Sequence, residues 1–245
     1  MANYDYTTGK KRIDEILNNK LEVIEQNSIP NDNDFTFTNA YYGWVTGMFI
    51  DIRQSTTLFA SQDKAIVSKI IRSFTSEIIE ILRMDNNLRE IGIRGDCVYS
   101  IYTTPTKDDI YEIVDKGIWT NTFMRMLNKQ LKKKNYSNII VGIGISTAKE
   151  LVIKAGRKDV GINNKVWIGK AVSMAANYSS LGNTGNYNPI IVSECTYDNF
   201  IEKFKKNNGV ESQNWFRKFS SKEYGTHYDV SLIKTDFNEW IDNNV

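Results

Sequence analysis

Phe49-Ile50-Asp51-Ile52-Arg53-Gln54-Ser55-Thr56 is an apolar, strand-like run that ends on a carboxylate and gives way to a polar turn. Ile93-Arg94-Gly95-Asp96-Cys97-Val98-Tyr99 puts a second carboxylate at the tip of a second apolar segment. Two carboxylates on adjacent strands suit a pair of divalent cations about 3.5–4 Å apart, the spacing of two-metal phosphoryl chemistry. Oxygen ligands of this kind favour Mg²⁺ or Mn²⁺ over Zn²⁺. The Ile52 carbonyl is a further candidate ligand. Arg53, Gln54, Ser55 and Thr56 offer N–H groups, hydroxyls and the start of a helix to phosphate oxygens. A helix N-cap served by Asp51 or Ser55, and a simple Gly-Asp turn at 95–96, account for the same residues taken singly.

Working outward, the first expectation is an amphipathic helix over 11–26, with Ile13, Ile16, Leu17, Leu21 and Ile24 at helical spacing. The polar, Pro30-containing stretch 28–34 reads as a linker. This divides the chain into a helical arm and linker, 1–34, and a main domain, 35–245. In the main domain, 44–52 reads as a buried strand and 61–84 as a helix. Residues 90–102 read as a hairpin with Gly95-Asp96 at its tip. A second long helix is expected over 108–134, with acidic residues at its start and lysines at its end. Strands over 137–146 and 150–156 read as a hairpin with each other. A helix over 169–181, a strand over 189–193, a helix over 194–205 and a strand over 226–234 complete the chain. Hairpins mixed with helices indicate an α+β architecture.

The net charge of +2 on 245 residues gives no reason to expect nucleic acid or an anionic membrane as partner. Cys97 and Cys195, the two cysteines, form no metal or disulfide framework and read as small buried apolar residues. The start of the chain lacks an apolar signal core, and no apolar run approaches the ~20 residues that cross a bilayer. A cytoplasmic location is expected. His227, the single histidine, falls in an expected strand, where a packed residue is the ordinary reading.

Taken together, the motifs around Asp51 and Gly95-Asp96 resemble the class III nucleotide cyclase domain. The likeness continues through Val141-Gly142-Ile143-Gly144-Ile145-Ser146 and through Trp167-Ile168-Gly169-Lys170-Ala171-Val172-Ser173-Met174-Ala175-Ala176. It covers roughly 46–230 in the family's order. The resemblance implies a ferredoxin-like α+β fold with a mostly antiparallel central sheet flanked by helices. It implies Asp51 and Asp96 as paired metal ligands, and a homodimer with active sites between subunits. The most similar members are the pyrimidine cyclases of bacterial anti-phage Pycsar systems. That resemblance implies conversion of UTP to 3′,5′-cyclic UMP and pyrophosphate, a role in antiviral defence, and a separate effector that senses the cyclic nucleotide.

The departures carry as much information. The family's base-reading lysine falls on Gly92, and its partner aspartate falls on Val166, next to Trp167. Losing both hydrogen-bonding partners removes the contacts that discriminate purines. Strand alternation puts Gly92, Arg94 and Asp96 on one side, so Arg94 is expected to face a pyrimidine carbonyl or the phosphates. The family's transition-state asparagine and arginine fall on Ser173 and Asn177, four apart on one helix face. Arg94, Arg53 and Arg157 are the candidates for the missing positive charge. Lys222 falls where related domains place a triphosphate-binding lysine. An aromatic side chain from Tyr41, Tyr42, Trp44 or Phe49 is available to stack on a base. The alternatives are a cytidylate cyclase, an adenylate or guanylate cyclase with a rewired base pocket, and an inactive nucleotide-binding module.

Overall fold

The computed structural model describes residues 3–157 and 160–245. The central unit is a βαββαβ arrangement that brings the first and last strands side by side. Strand β2 (Asn39–Ile52) leads through the short helix α2 (Ser55–Ser61) to α3 (Lys64–Arg83). The hairpin β3 (Leu88–Arg94) and β4 (Cys97–Thr103) follows, then α4 (Lys107–Lys133) and β5 (Val141–Arg157). Sheet order is β3-β4-β2-β5, all antiparallel. Before this unit lie α1 (Tyr6–Asn18) and β1 (Glu22–Glu25). After it come β6 (Ile162–Ile168), α5 (Lys170–Leu181), β7 (Ile190–Ser193), α6 (Glu194–Asn208), β8 (Arg217–Ser221), β9 (Gly225–Val230) and α7 (Thr235–Asn244). β7, β9 and β8 extend the sheet beyond β5. The expected α+β class and mostly antiparallel sheet are present, with parallel pairing at β1–β2 and β5–β7.

Alternation decides the two faces. On β2, Met48, Ile50 and Ile52 point into a core shared with Ile70, Phe74 and Ile78 of α3 and with Ile113, Ile118 and Leu127 of α4. The apolar spacing of those helices is what the sequence showed, and the structure adds Asp63 and Thr106 as their N-caps. Gly47, Phe49 and Asp51 point to the opposite face. Against that face lies α5, seated over Gly142 and Gly144. A Cβ on Gly144 would come within 2.0 Å of the Ala175 carbonyl oxygen, so only glycine admits the helix at this distance.

Four expectations are corrected. The helix expected over 11–26 stops at Asn18, and Glu22–Glu25 pairs in parallel with Asn39–Tyr42. Ile13, Ile16 and Leu17 are exposed, so periodicity there reported an uncovered helix face. The stretch 28–34 is anchored: Ile29 is fully buried, and its N–H donates to Thr103 Oγ1 at 2.8 Å. Residues 137–146 and 150–156 are not a hairpin. β5 runs unbroken from Val141 to Arg157 because Thr147-Ala148-Lys149 offers no strong turn residue and the strand pairs continuously with β2 from Ile52↔Val141 to Ala40↔Ile153. Its hairpin partner is β6, which the sequence reading missed, together with β8 and α7. The last strand is shorter than expected, ending at Val230.

Candidate active site

Asp51 lies at the end of β2, opposite Cys97 on β4 and Gly142 on β5. The hairpin places Asp96 immediately beside Cys97. Gly95, with φ 65°, is the first residue of a two-residue turn, the position where such hairpins require glycine. The two carboxylates therefore share one corner of the sheet. Burial raises the pKa of Asp51 above the ordinary carboxylate value, Arg53 opposes that rise, and the charge of Asp96 adds to it. This like-charge repulsion is what a bound cation relieves. Among the described residues no group of three or more His, Cys, Asp or Glu side chains converges. The oxygen groups available at this corner are the two carboxylates and the Ile52 carbonyl, a hard-oxygen set whose chemistry fits Mg²⁺ or Mn²⁺.

In this state the cation beside Asp51 is Arg53. Its guanidinium pairs with Asp51 Oδ2 and donates from Nη1 to the Ser180 carbonyl at 2.7 Å, while Nε is buried without a partner. The Arg53 side chain is 14% exposed and that of Asp51 26%. Arg53 thereby ties the carboxylate corner to the C-terminal end of α5. Gln54 follows in the left-handed region, φ 53°, and turns the chain into α2, leaving Gln54 and Thr56 exposed and Ser55 half-buried.

The remaining candidates fall into separate groups. Gly92 and Arg94 are on β3, with Arg94 exposed. Val166 and Trp167 are on β6; Val166 is exposed and Trp167 half-buried. Ser173 and Asn177 lie exposed on α5, and Ser173 Oγ donates back to the Gly169 carbonyl at 2.9 Å. Lys222 sits in the β8–β9 turn. Register places Val230 level with Ile50, and Gly225 is five residues further along, roughly 17 Å towards the opposite end of the sheet. Lys222 and Asp51 of one chain are thus far apart. Arg157, at the end of β5, is likewise at the far end from Asp51. Two surface concavities, of ≈ 400 Å³ between α3 and α4 and ≈ 580 Å³ on the β5–β6 hairpin, include neither aspartate. Asp51 and Asp96 are both half-buried.

Sequence reasoning missed two acidic residues. Glu90 accepts from the Tyr99 hydroxyl at 2.8 Å and from Trp167 Nε1 at 2.7 Å. Tyr99 in turn stacks on Phe49, with centroids 5.2 Å apart and planes at 15°. The Tyr99 ring lies over Gly92, where a Cβ would approach it to 2.7–2.8 Å. Glu150 is fully buried at the N-terminus of α5, accepting from Ala171 N with Oε1 while Oε2 has no partner. Burial holds its pKa above the ordinary value. No local motif marks either residue. His227 is packed, as expected: fully buried, stacked on Phe219 and hydrogen-bonded to Tyr187. Cys97 and Cys195 are half-buried free thiols, and burial pushes Cys97 up to about 12.

The family model for the adenylate and guanylate cyclase catalytic domain matches residues 37–214. A uridylate cyclase of Treponema porcinum is 54% identical over 238 residues, covering 97% of this chain and 81% of that protein. A uridylate cyclase of Gulbenkiania mobilis is 29% identical, covering 98% and 97%. Among solved structures, the adenylyl cyclase CyaB from P. aeruginosa superposes with a TM-score of 0.64 at 20% identity, over 80% of this chain and 98% of that one. With its paired aspartates, its βαββαβ sheet and more than half its length matched, the chain belongs to the class III nucleotide cyclase family and is a nucleotide cyclase.

Proposed function

We propose that the protein is a homodimeric uridylate cyclase that converts UTP to 3′,5′-cyclic UMP and pyrophosphate. The observation that carries the choice of base is Gly92 beneath the Tyr99 ring. Adenylate cyclases of the resembled family place a base-reading lysine at this position. Here the side chain is gone and an aromatic ring fills the space, which shortens the pocket towards a pyrimidine. The 54% identity to a uridylate cyclase supports the same choice. The 3′ oxygen attacks the α-phosphorus in line as the bond to the β-bridging oxygen breaks, and the 3′-hydroxyl proton passes to solvent.

Asp51, Asp96 and the Ile52 carbonyl are the groups that would hold two divalent cations. When bound, the ions supply Lewis acidity at the 3′-hydroxyl and neutralise the β and γ phosphates. Arg53 is the cation closest to Asp51 and is poised to turn to a phosphate. Gln54, Ser55 and Thr56 line the adjacent turn. Arg94 is an exposed guanidinium on the same hairpin as Asp96, suited to a phosphate or to a pyrimidine carbonyl. Val166 and Trp167 border the base. Ser173 and Asn177 supply hydrogen bonds where relatives carry an asparagine and an arginine, so positive charge at the transition state falls to Arg53 or Arg94.

The distance from Lys222 to Asp51 favours sites built between two subunits. In such a dimer Lys222 reaches a triphosphate held by the partner's carboxylates. The cyclic nucleotide would serve as a cytoplasmic second messenger in antiviral defence, read by a separate effector. The test is turnover of UTP with Mn²⁺, followed by chromatography. Wild type should form cyclic UMP, and Asp51→Ala and Asp96→Ala should each abolish it. Full activity in Asp96→Ala would remove the metal assignment.

A further inference from the structure

The sheet face that carries Asp51 is divided in two. On the β5 side, Gly142 and Gly144 are covered by α5. On the β4–β3 side the Phe49–Tyr99 stack is half-exposed and forms a shelf beside the carboxylates. Tyr99 is two residues from Cys97, which pairs with Asp51, so the shelf begins roughly 7 Å along the strands from the carboxylate corner. A nucleotide spans that distance.

The hydrogen bonding of this shelf is one-sided. The two oxygens of the Glu90 side chain accept from Tyr99 and Trp167, one each. The Tyr99 proton is therefore committed to Glu90, and its oxygen keeps only lone pairs to offer. Burial, then Glu90, pushes the Tyr99 pKa up to about 12, so the hydroxyl keeps that proton. Alternation sets the position of Glu90: it lies two residues from Gly92, which pairs with Tyr99, and itself pairs with Ile101, so it shares the Tyr99 face. A β-bulge follows at Arg89, the extra residue between Glu90 and Leu88, which pairs with Tyr102. Arg89 is pinned in turn, its Nε donating to the Ile29 carbonyl at 2.6 Å and its carbonyl accepting from Lys165.

We propose that the Tyr99 hydroxyl, oriented by Glu90, selects uracil over cytosine by accepting the N3–H of the base. Uracil carries a donor at N3. Cytosine carries a lone pair there, which meets the lone pairs of Tyr99 and leaves both unpaired. Tyr99 is the specificity residue and Glu90 the positioning residue that fixes its polarity. The inference rests on the uridylate cyclase reading and adds to it the group that distinguishes the two pyrimidines.

The test measures kcat and KM for UTP and CTP separately in wild type, Glu90→Gln and Tyr99→Phe. In Glu90→Gln the amide oxygen keeps Trp167 while the amide N–H₂ donates to the Tyr99 oxygen. The Tyr99 proton is then free to donate to cytosine N3. The CTP-to-UTP ratio of kcat/KM should rise about tenfold or more, carried mainly by KM because a base contact is made in ground and transition states alike. In Tyr99→Phe the preference for UTP should shrink about tenfold. A purely structural role for Glu90 would lower kcat for both nucleotides together. A ratio within about twofold of wild type in both variants overturns the inference while leaving uridylate cyclisation intact. A wild type that converts neither pyrimidine overturns the cyclase reading and this inference with it.

Discussion

Gly144→Ala should detach the catalytic helix from its sheet without touching either aspartate. The added methyl would lie 2.0 Å from the Ala175 carbonyl oxygen and 2.3 Å from the Ser179 nitrogen. Both are backbone atoms, so no rotamer change relieves the clash. Ordinary contact begins near 3.4 Å, so α5 must lift by about 1.4 Å. Overpacking of this kind costs about 1–3 kcal/mol and sometimes more. At roughly 2–4 °C per kcal/mol for a chain of this size, the melting temperature should fall by several degrees. Ala175 lies between Ser173 and Asn177, so both move with the helix, and a displacement near 1 Å costs on the order of a hundredfold in turnover. The control is Gly117→Ala on α4, at the other face. There the methyl meets the flexible tip of Ile145 at 3.0 Å, and alanine gains up to ~1 kcal/mol of helix propensity. Thermal melting and initial rates with UTP measure both variants. A Gly144→Ala protein with wild-type melting and wild-type kcat would refute the role given to the close approach of α5.

Glu150→Gln should change the pH dependence of stability. The carboxyl is fully buried and its pKa is raised, so its favourable contribution is present below the unfolded value, near 4.5, and is lost as pH rises through the folded value. Denaturant titrations should show the variant gaining on wild type as pH rises from 4.5; a difference that is flat with pH contradicts the assignment. Subunit complementation tests the shared site. Asp51→Ala and Asn177→Ala should each be inactive, whereas an equal mixture after subunit exchange should recover about a quarter of wild-type activity, since half the dimers are mixed and each has one intact site. No recovery would place all the groups within one chain.

The legible part of this fold was the part written in short periods. Alternation and helical spacing located β2, β4, α3 and α4 because their apolar residues face one core. The Gly95-Asp96 turn was readable because its chemistry is local. What escaped was set by distant partners. β5 read as two strands because the continuity of its 17 residues is set by pairing with β2. β1 has no periodic signal and exists through its parallel pairing with β2. Glu90 was hidden for a different reason: its second partner, Trp167, comes from β6, a strand the sequence reading did not contain. The candidate site was thus legible at its aspartates and silent at its base pocket.

The central claim is a metal-dependent cyclase that has exchanged a purine reader for a pyrimidine one. Its most direct test incubates the protein with Mn²⁺ and equal amounts of ATP, GTP, CTP and UTP, and quantifies the cyclic products by mass spectrometry. The account predicts cyclic UMP as the dominant product, with cyclic CMP second. Cyclic AMP or cyclic GMP as the main product would contradict it.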